Sequence, residues 1–336
     1  MNDSLTKVVA TPSVAQATPR TSSDRGLATL VEIRSVSKWY GPVIGVNEIS
    51  VQVEPGITGM LGPNGAGKTT LIKLVAGQLR PSLGEVRICG MRAWTAAAKR
   101  RVGYCPDADT FYEEMSGREF VWTMARLHGF NRSDARRRTE EVLAEVGMSD
   151  RANRRLRGYS KGMRQRIKLA QALVHDPQVI VVDEPLNGVD PVGRRELMEL
   201  FRSLAARGKA LLISSHILDE MDTLADRVLF MGRGRVLAEG TLAEIRDMLD
   251  THPLQLRIKS DRPRELAGRI VQWDLVRGIE MHGSDEISLQ VLRPDQFFRR
   301  FGDLVLEDGF EIERLQTTDS SAGAIFEYVM QETSRY

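Results

Sequence analysis

The order of apolar and polar positions changes character three times along the chain. From Ala28, VEIRSVSKWY alternates apolar with polar residues as a half-buried strand does, and GPVIGVNEISVQV continues the alternation through a turn. A short apolar strand over residues 57–61 feeds a glycine loop, and residues 69–77 read as a helix closed by a terminal glycine. A further strand is expected over 101–104. From 116 to about 170 the pattern turns helical, with amphipathic stretches over 118–128 and 134–146 and a third helix over 159–175. Strands over 178–182, 210–214 and 227–231 then alternate with helices over 192–207 and 217–224, ending in a hairpin, GRGRVLAEG. Such alternation predicts an α/β body with a parallel sheet covered by helices, and the stretch 116–170 predicts a helical subdomain inserted into it.

Past about Asp250 the pattern restarts. Strands over 254–259, 276–281, 287–291 and 310–315 interleave with helices over 263–270 and 294–301, and a last helix covers 322–330. The order β-α-β-β-α-β plus a helix fits a small α+β unit of the ferredoxin-like, split βαβ kind. With 336 residues the chain has room for two domains. The expected division is a disordered tail rich in Ser, Thr, Pro and Ala over 1–27, the α/β body over 28–248 and the accessory domain over 252–336.

Composition narrows the partners. Apolar residues make up 42% and charged residues 27%, as in soluble globular chains. A net charge of +2 supplies no strong positive field, so no nucleic acid is expected as a partner. Cys89 and Cys105 lie apart without metal-ligand spacing, which argues against a disulfide framework or zinc site and makes a reducing cytosol the simpler setting. No apolar run approaches the roughly 18–20 residues that span a bilayer, and the N-terminus lacks the apolar core of a secretory signal. Any role at a membrane is therefore expected to come through a partner. Arginines crowd residues 132–157 with Glu140, Glu141, Glu145 and Asp150 among them, a solvated helical face or a contact for anionic lipid or a membrane protein.

The chemistry begins with Gly62-Pro63-Asn64-Gly65-Ala66-Gly67-Lys68-Thr69, which satisfies G-x-x-x-x-G-K-[ST]. Its glycines let the backbone turn so that successive amides face phosphate oxygens, and the following helix adds the positive end of its dipole. Lys68 is expected to reach the β- and γ-phosphates, and the Thr69 hydroxyl to ligate Mg²⁺. Downstream, Gln178-Val179-Ile180-Val181-Val182-Asp183-Glu184 is an apolar run that delivers two carboxylates to one sheet edge, where open α/β sheets bind ligands. Asp183 would hold the metal directly or through water, and Glu184 could polarise an attacking water. Ser160 and Gly162 at a helix N-terminus offer a hydroxyl and free amides, a second anion site. Two phosphate sites in one domain suggest that one serves a second copy.

Over roughly residues 31–245 the chain resembles the ATP-binding subunits of ATP-binding cassette (ABC) transporters, with six motifs in order. Tyr40 in KWYG matches the aromatic that stacks on adenine, and Gly62 to Thr70 the Walker A loop. Tyr159-Ser160-Lys161-Gly162-Met163 stands where the signature LSGGQ is expected, and VIVVDEP is similar to Walker B. Leu186-Asn187-Gly188-Val189-Asp190 looks like the D-loop, and Ser214-Ser215-His216 like the switch-histidine segment. The resemblance implies a P-loop ATPase that binds ATP and Mg²⁺ and forms a head-to-tail dimer. Each ATP would lie between Walker A of one copy and the signature of the other. It also implies that His216 contacts the γ-phosphate and helps orient the water.

The chain departs from the pattern twice. Where the family has Gln after Gly-Tyr-x-Pro, this chain has Asp107, which either reaches the metal through water or is a loop residue without a ligand. The signature carries Lys161 and Met163 in place of Gly and Gln, while Ser160 and Gly162 are kept. With its appended C-terminal unit the chain looks most like the ATPases that serve ABC-2 type exporters. It would then sit at the cytoplasmic face of a membrane beside a separate integral-membrane permease. A soluble ABC ATPase acting on ribosomes or nucleic acid is the alternative, and a cassette that binds ATP without turnover is a third, disfavoured by the intact Glu184 and His216.

Overall fold

A computed structural model describes residues 29–247, 253–318 and 322–333. The tail expected to be disordered lies outside the described residues. In chain order the elements are β1 (Val31–Tyr40), β2 (Val43–Val53), β3 (Gly56–Leu61), α1 (Lys68–Val75), β4 (Leu83–Ile88), β5 (Met91–Arg92) and α2 (Ala96–Lys99). There follow β6 (Val102–Cys105), α3 (Gly117–Leu127), α4 (Arg132–Glu145), α5 (Lys161–Leu173), β7 (Val179–Asp183), α6 (Pro191–Ala206), β8 (Ala210–Ser215) and α7 (Leu218–Leu224). The chain continues with β9 (Arg227–Gly232), β10 (Arg235–Gly240), α8 (Leu242–Asp247), β11 (Leu254–Ser260), α9 (Pro263–Ile270), β12 (Val276–His282) and β13 (Glu286–Val291). The last elements are α10 (Pro294–Asp308), β14 (Ile312–Thr317) and α11 (Ala322–Thr333).

The central sheet has the order β10-β9-β3-β8-β7-β6, parallel except for β10, which closes an antiparallel hairpin on β9. Arg233 and Gly234 both hold positive φ in that hairpin turn, as the right-handed twist of paired strands demands. The inner strands read as unbroken apolar runs because both faces are covered. Val179 and Val181 of β7 and Ala210 and Leu212 of β8 face a core shared with α1 and the antiparallel sheet β2-β1-β4-β5. Ile180, Val182, Leu211 and Ile213 face the opposite core, shared with α5, α6 and the inserted helices.

Helices α3, α4 and α5 form the inserted subdomain. A capping box fixes the start of α3: Ser116 Oγ accepts from the Glu119 amide at 3.2 Å while Glu119 Oε2 accepts from the Ser116 amide at 2.8 Å. Within the arginine-rich stretch Arg137 pairs with Asp134 and Glu141, Arg138 with Glu141, and Arg155 and Arg157 with Glu114, while Glu140 takes Arg118 from the preceding helix.

In the C-terminal region the sheet runs β12-β13-β11-β14, antiparallel throughout, which is the ferredoxin-like strand order. Its core joins Leu256, Ile258, Ile287 and Leu289 to Leu266 of α9 and Phe297 and Phe301 of α10. Helix α10 runs to Asp308, seven residues beyond the expected end at 301, because Leu304 prolongs the apolar face and Gly309, at φ 64°, supplies the left-handed cap only there. Helix α11 leaves this core: Ile325 and Val329 are buried in the core of the α/β body, and the Phe326 ring lies 5.4 Å from that of Phe230 on β9. The expected range 252–336 thus contains a helix that packs on the other body, against α7, α8 and β10.

Polar contacts also tie the inserted helices to the sheet, and one involves two histidines. His128, at the end of α3, stacks on His175, which follows α5, with ring centroids 3.8 Å apart, and His175 Nε2 sits 3.0 Å from the Val102 carbonyl. The other ring nitrogen of His175, Nδ1, is buried without a hydrogen-bond partner among the described residues. Burial, and then the facing His128, lower the His175 pKa to about 4. A histidine whose pKa falls on folding leaves stability intact above its unfolded value near 6.5, and stability declines as pH drops from there toward 4. Chemical denaturation should show a loss of roughly 2 kcal/mol between pH 7.5 and pH 5. A His175→Gln variant should lose markedly less over the same interval, and equal losses in both proteins would refute the assignment.

Candidate functional site

β3 hands the chain at Leu61 to the glycine loop. A Cβ at Gly62 would stand 2.3 Å from the Met231 carbonyl, and one at Gly67, where φ is 102°, would stand 2.5 Å from the Gly45 carbonyl. Only glycine fits at either place. The Ala66 amide donates to Pro63 O at 3.1 Å and the Gly234 amide to Ala66 O at 3.0 Å, so the loop is pinned against the β9–β10 turn. Pro63, Asn64 and Gly65 form its exposed crest. No side chain caps α1, which leaves its first amides free for an anion.

Lys68 is only 6% exposed, and its ammonium donates to the carbonyls of Gly62 at 2.6 Å and Pro63 at 3.3 Å. It also lies 3.7 Å from Glu184 Oε1. Thr69 is exposed at the mouth of the loop, with its hydroxyl near enough to the Asp183 carboxyl to act on its pKa.

The two acids leave the end of β7 in different directions. Asp183 is buried, and its Oδ1 accepts from Ser214 Oγ at 2.6 Å. Burial raises the Asp183 pKa, with the hydroxyls of Ser214 and Thr69 opposing and the charges of Glu184 and Asp107 adding to the rise. Glu184 adopts φ 49°, a left-handed conformation that costs a non-glycine residue about 1–2 kcal/mol. Three contacts hold it there. Its amide donates to Ser214 Oγ at 3.0 Å, its Oε2 accepts from the His216 amide at 3.3 Å, and the same oxygen lies 2.7 Å from His216 Nδ1. An ionised carboxylate can only accept, so Nδ1 carries the proton and Nε2 is left to face outward chemistry.

The remaining expected residues fall into two places. Tyr40, 45% exposed, lies at the rim of the loop with its hydroxyl 3.5 Å from Thr70 Oγ1. Asp107 is exposed, near enough to Asp183 for its charge to be felt, and its carbonyl accepts from Lys168 at 2.7 Å. Ser160 and Gly162 stand elsewhere. Ser160 caps α5 by accepting from the Met163 amide at 3.3 Å, and Gly162 faces Val189. Among the described residues no hydrogen bond joins either to Lys68, Asp183, Glu184 or His216. Asp190 caps α6, accepting from the amides of Val192 at 3.1 Å and Gly193 at 3.0 Å.

Sequence reasoning passed over Ser214 and Lys168 as site residues. Ser214 stands opposite Asp183 in the parallel β7–β8 register, a placement that only the strand pairing reveals. Lys168, buried on α5, pairs with Asp109 at 3.1 Å and with Arg164 pins the loop after β6 to that helix.

Fold and site together define a P-loop ATPase of the cassette type. The ABC transporter family matches residues 46–187. The daunorubicin/doxorubicin resistance ATP-binding protein of Streptomyces peucetius is 32% identical over 302 residues, covering 88% of this chain and 91% of that protein. An uncharacterised ABC transporter ATP-binding protein of Synechocystis is 37% identical over 248 residues, 71% of this chain and 69% of that one. A solved ATP-binding subunit of an ABC transporter superposes with a TM-score of 0.61 at 30% identity, covering 66% of this chain and 93% of the other. The chain belongs to the ATP-binding proteins of ABC transporters. It is an ATPase.

Ser214→Ala would remove the bonds to Asp183 and to the strained Glu184 amide together. ATP turnover should fall about tenfold and stability by about 1–3 kcal/mol, read by phosphate release and denaturant unfolding. Wild-type turnover in this variant would show that the clamp does not matter.

Proposed function

We propose that this chain is the energy-coupling subunit of an ABC exporter, closing on ATP as a head-to-tail pair of copies to drive a separate integral-membrane permease. The observation that carries the reading is the position of Glu184, held between Lys68 and His216 at the carboxyl edge of the sheet. Such a carboxylate can accept a proton from a water attacking the γ-phosphate while His216 keeps it oriented. Lys68, now spending its hydrogen bonds on loop carbonyls, is free to turn them to the β- and γ-phosphates, and the amides of Gly65, Gly67 and Thr70 are suited to the remaining oxygens. Tyr40 offers a half-exposed ring for adenine.

The Thr69 hydroxyl and the buried Asp183 carboxyl, with Asp107 nearby, form an oxygen set that suits a hard cation, because burial, and after it the nearby acids, penalise the Asp183 charge and raise its pKa. Mg²⁺ held there would neutralise charge on the phosphates. The separation of Ser160 and Gly162 from Lys68 favours their serving the nucleotide of a second copy. A dimeric bacterial ABC transporter cassette, 20% identical and with a TM-score of 0.59, shares this fold. Among relatives, a protein of Burkholderia orbicola that is 38% identical over 213 residues, 62% of this chain and 70% of that protein, is named a Nod factor export ATP-binding protein, and the Streptomyces relative is named for drug resistance. Both names favour export. No helix among the described residues is long and apolar enough to cross a membrane, so the reading puts the chain on the cytoplasmic face beside its permease.

Glu184→Gln should lower ATP turnover by about 100-fold or more while leaving ATP binding within twofold, and should convert monomer to dimer when ATP is added. Tagged Glu184→Gln protein purified from membranes with ATP should bring down a multi-span membrane protein. Recovery of ribosomes or soluble factors without any membrane protein would overturn the transport reading in favour of a soluble ATPase.

A further inference from the structure

Arg194, in the first turns of α6, reaches two segments at once. Its Nε donates to the Val189 carbonyl at 2.8 Å, and its Nη1 donates to Glu220 Oε1 at 2.7 Å. The first partner lies in the loop 186–190 that follows Glu184, and the second lies on α7, four residues past His216. Glu220 is largely buried, and among the described residues its second oxygen has no hydrogen-bond partner. A carboxylate kept in that state is a cost unless its guanidinium holds it in place.

The surroundings leave Arg194 little choice of position. Asp190 caps α6 from the same loop, and Gly193 packs so closely that a Cβ there would stand 2.8 Å from Val189 Cγ1. On the other side, the turn between His216 and α7 is stiffened by Ser215 Oγ, which accepts from the Ile217 amide at 3.0 Å and donates to its carbonyl at 3.2 Å. The same loop meets the signature helix, where Lys161 lies over Gly188 and Gly162 faces Val189.

We infer that Arg194 and Glu220 are positioning residues for ATP hydrolysis, linking the loop 186–190 to the placement of His216 against Glu184. The inference rests on the proposed roles of Glu184 and His216. When the loop is pressed by the signature end of the molecule, its shift passes through the guanidinium to α7 and so to the imidazole. A bidentate arginine can make both contacts, whereas a lysine in its place can make one.

Arg194→Ala should lower kcat about tenfold with KM for ATP within twofold, and should move the imidazole resonance of His216 in histidine-labelled protein, assigned with His216→Ala. Arg194→Lys, less disruptive to folding, should show a loss of about threefold and a smaller move of the same resonance. Glu220→Gln, which keeps the acceptor oxygen, should stay within twofold of wild type. Unchanged kcat in Arg194→Ala and Arg194→Lys, or a loss of kcat with the His216 resonance unmoved, would overturn the pairing's role. Full turnover in Glu184→Gln would instead sink the proposed chemistry, and the resonance of His216 would still report on the pair.

Discussion

Three strands that end level with one another set the terms for everything chemical in this protein. In the parallel pairing, Leu61 of β3 stands opposite Ser215 of β8, and Asp183 of β7 stands opposite Ser214. The glycine loop, the two acids and the switch histidine therefore leave the sheet at one height, though they come from three distant parts of the chain. A slip of one residue between β7 and β8 would exchange the faces of every side chain on the slipped strand, sending Ile180 and Val182 to the wrong core. The two cores, each filled by alternate residues of the same strands, forbid that slip. Packing thus fixes the site before any polar contact forms.

Polar contacts then divide the acids into two roles. Ser214 donates its hydroxyl proton to Asp183 and accepts from the Glu184 amide, so one side chain orders both. Burial penalises the Asp183 charge, and the neighbouring carboxylates add to the penalty, which makes the spot receptive to a cation. Glu184 accepts a left-handed backbone that turns its carboxylate toward Lys68 and His216. Strain at such a residue persists where surrounding contacts over-determine it, and here they come from Ser214 on β8, from His216 just beyond that strand and from Lys68 at the start of α1. On the proposed reading, anionic phosphate and the Glu184 carboxylate would compete for the same lysine. Nucleotide arrival would then loosen one partner of Glu184 and leave His216 as the other.

What the sequence made legible follows from the range of the interactions. The loop from Gly62 to Thr69 is local chemistry, with a strand before it and a helix after it, and residues carry that information in order. Asp183 and Glu184 are nearly as local, because an apolar run with acids at its end needs only a sheet to be interpretable. The four-stranded C-terminal sheet was legible from element order alone, since few strand arrangements satisfy β-α-β-β-α-β. Ser214, Arg194 and Glu220 were not, because each acts through a partner on another element, and nothing in the spacing of a serine or an arginine records that. Helix α11 was placed with the small domain by its position in the chain, yet Ile325 and Val329 fill the core of the larger body. Its apolar spacing defines a buried face without saying which core receives it.

The division of anion-binding groups between two places decides what a single copy can do. The glycine loop, Lys68 and Glu184 form one cluster, whereas Ser160 caps α5 beside the loop 186–190. On the proposed reading a single copy binds nucleotide with the first cluster, and its second set of donors meets a phosphate only in another copy. If the second copy supplies that phosphate, bound ATP becomes part of the contact between copies, and its cleavage removes part of what holds them together. The segment pressed at that contact would include residues 186–190, which lie directly between the signature helix and the residue Glu184. Arg194 grips that segment on one side and α7 on the other, while α11 covers α7 from the small domain's end of the chain. Glu184, the proposed catalytic carboxylate, is thus connected by short, packed contacts both to the face where a second copy would sit and to the C-terminal region, and on the proposed reading a displacement at either place would reach His216 through α7.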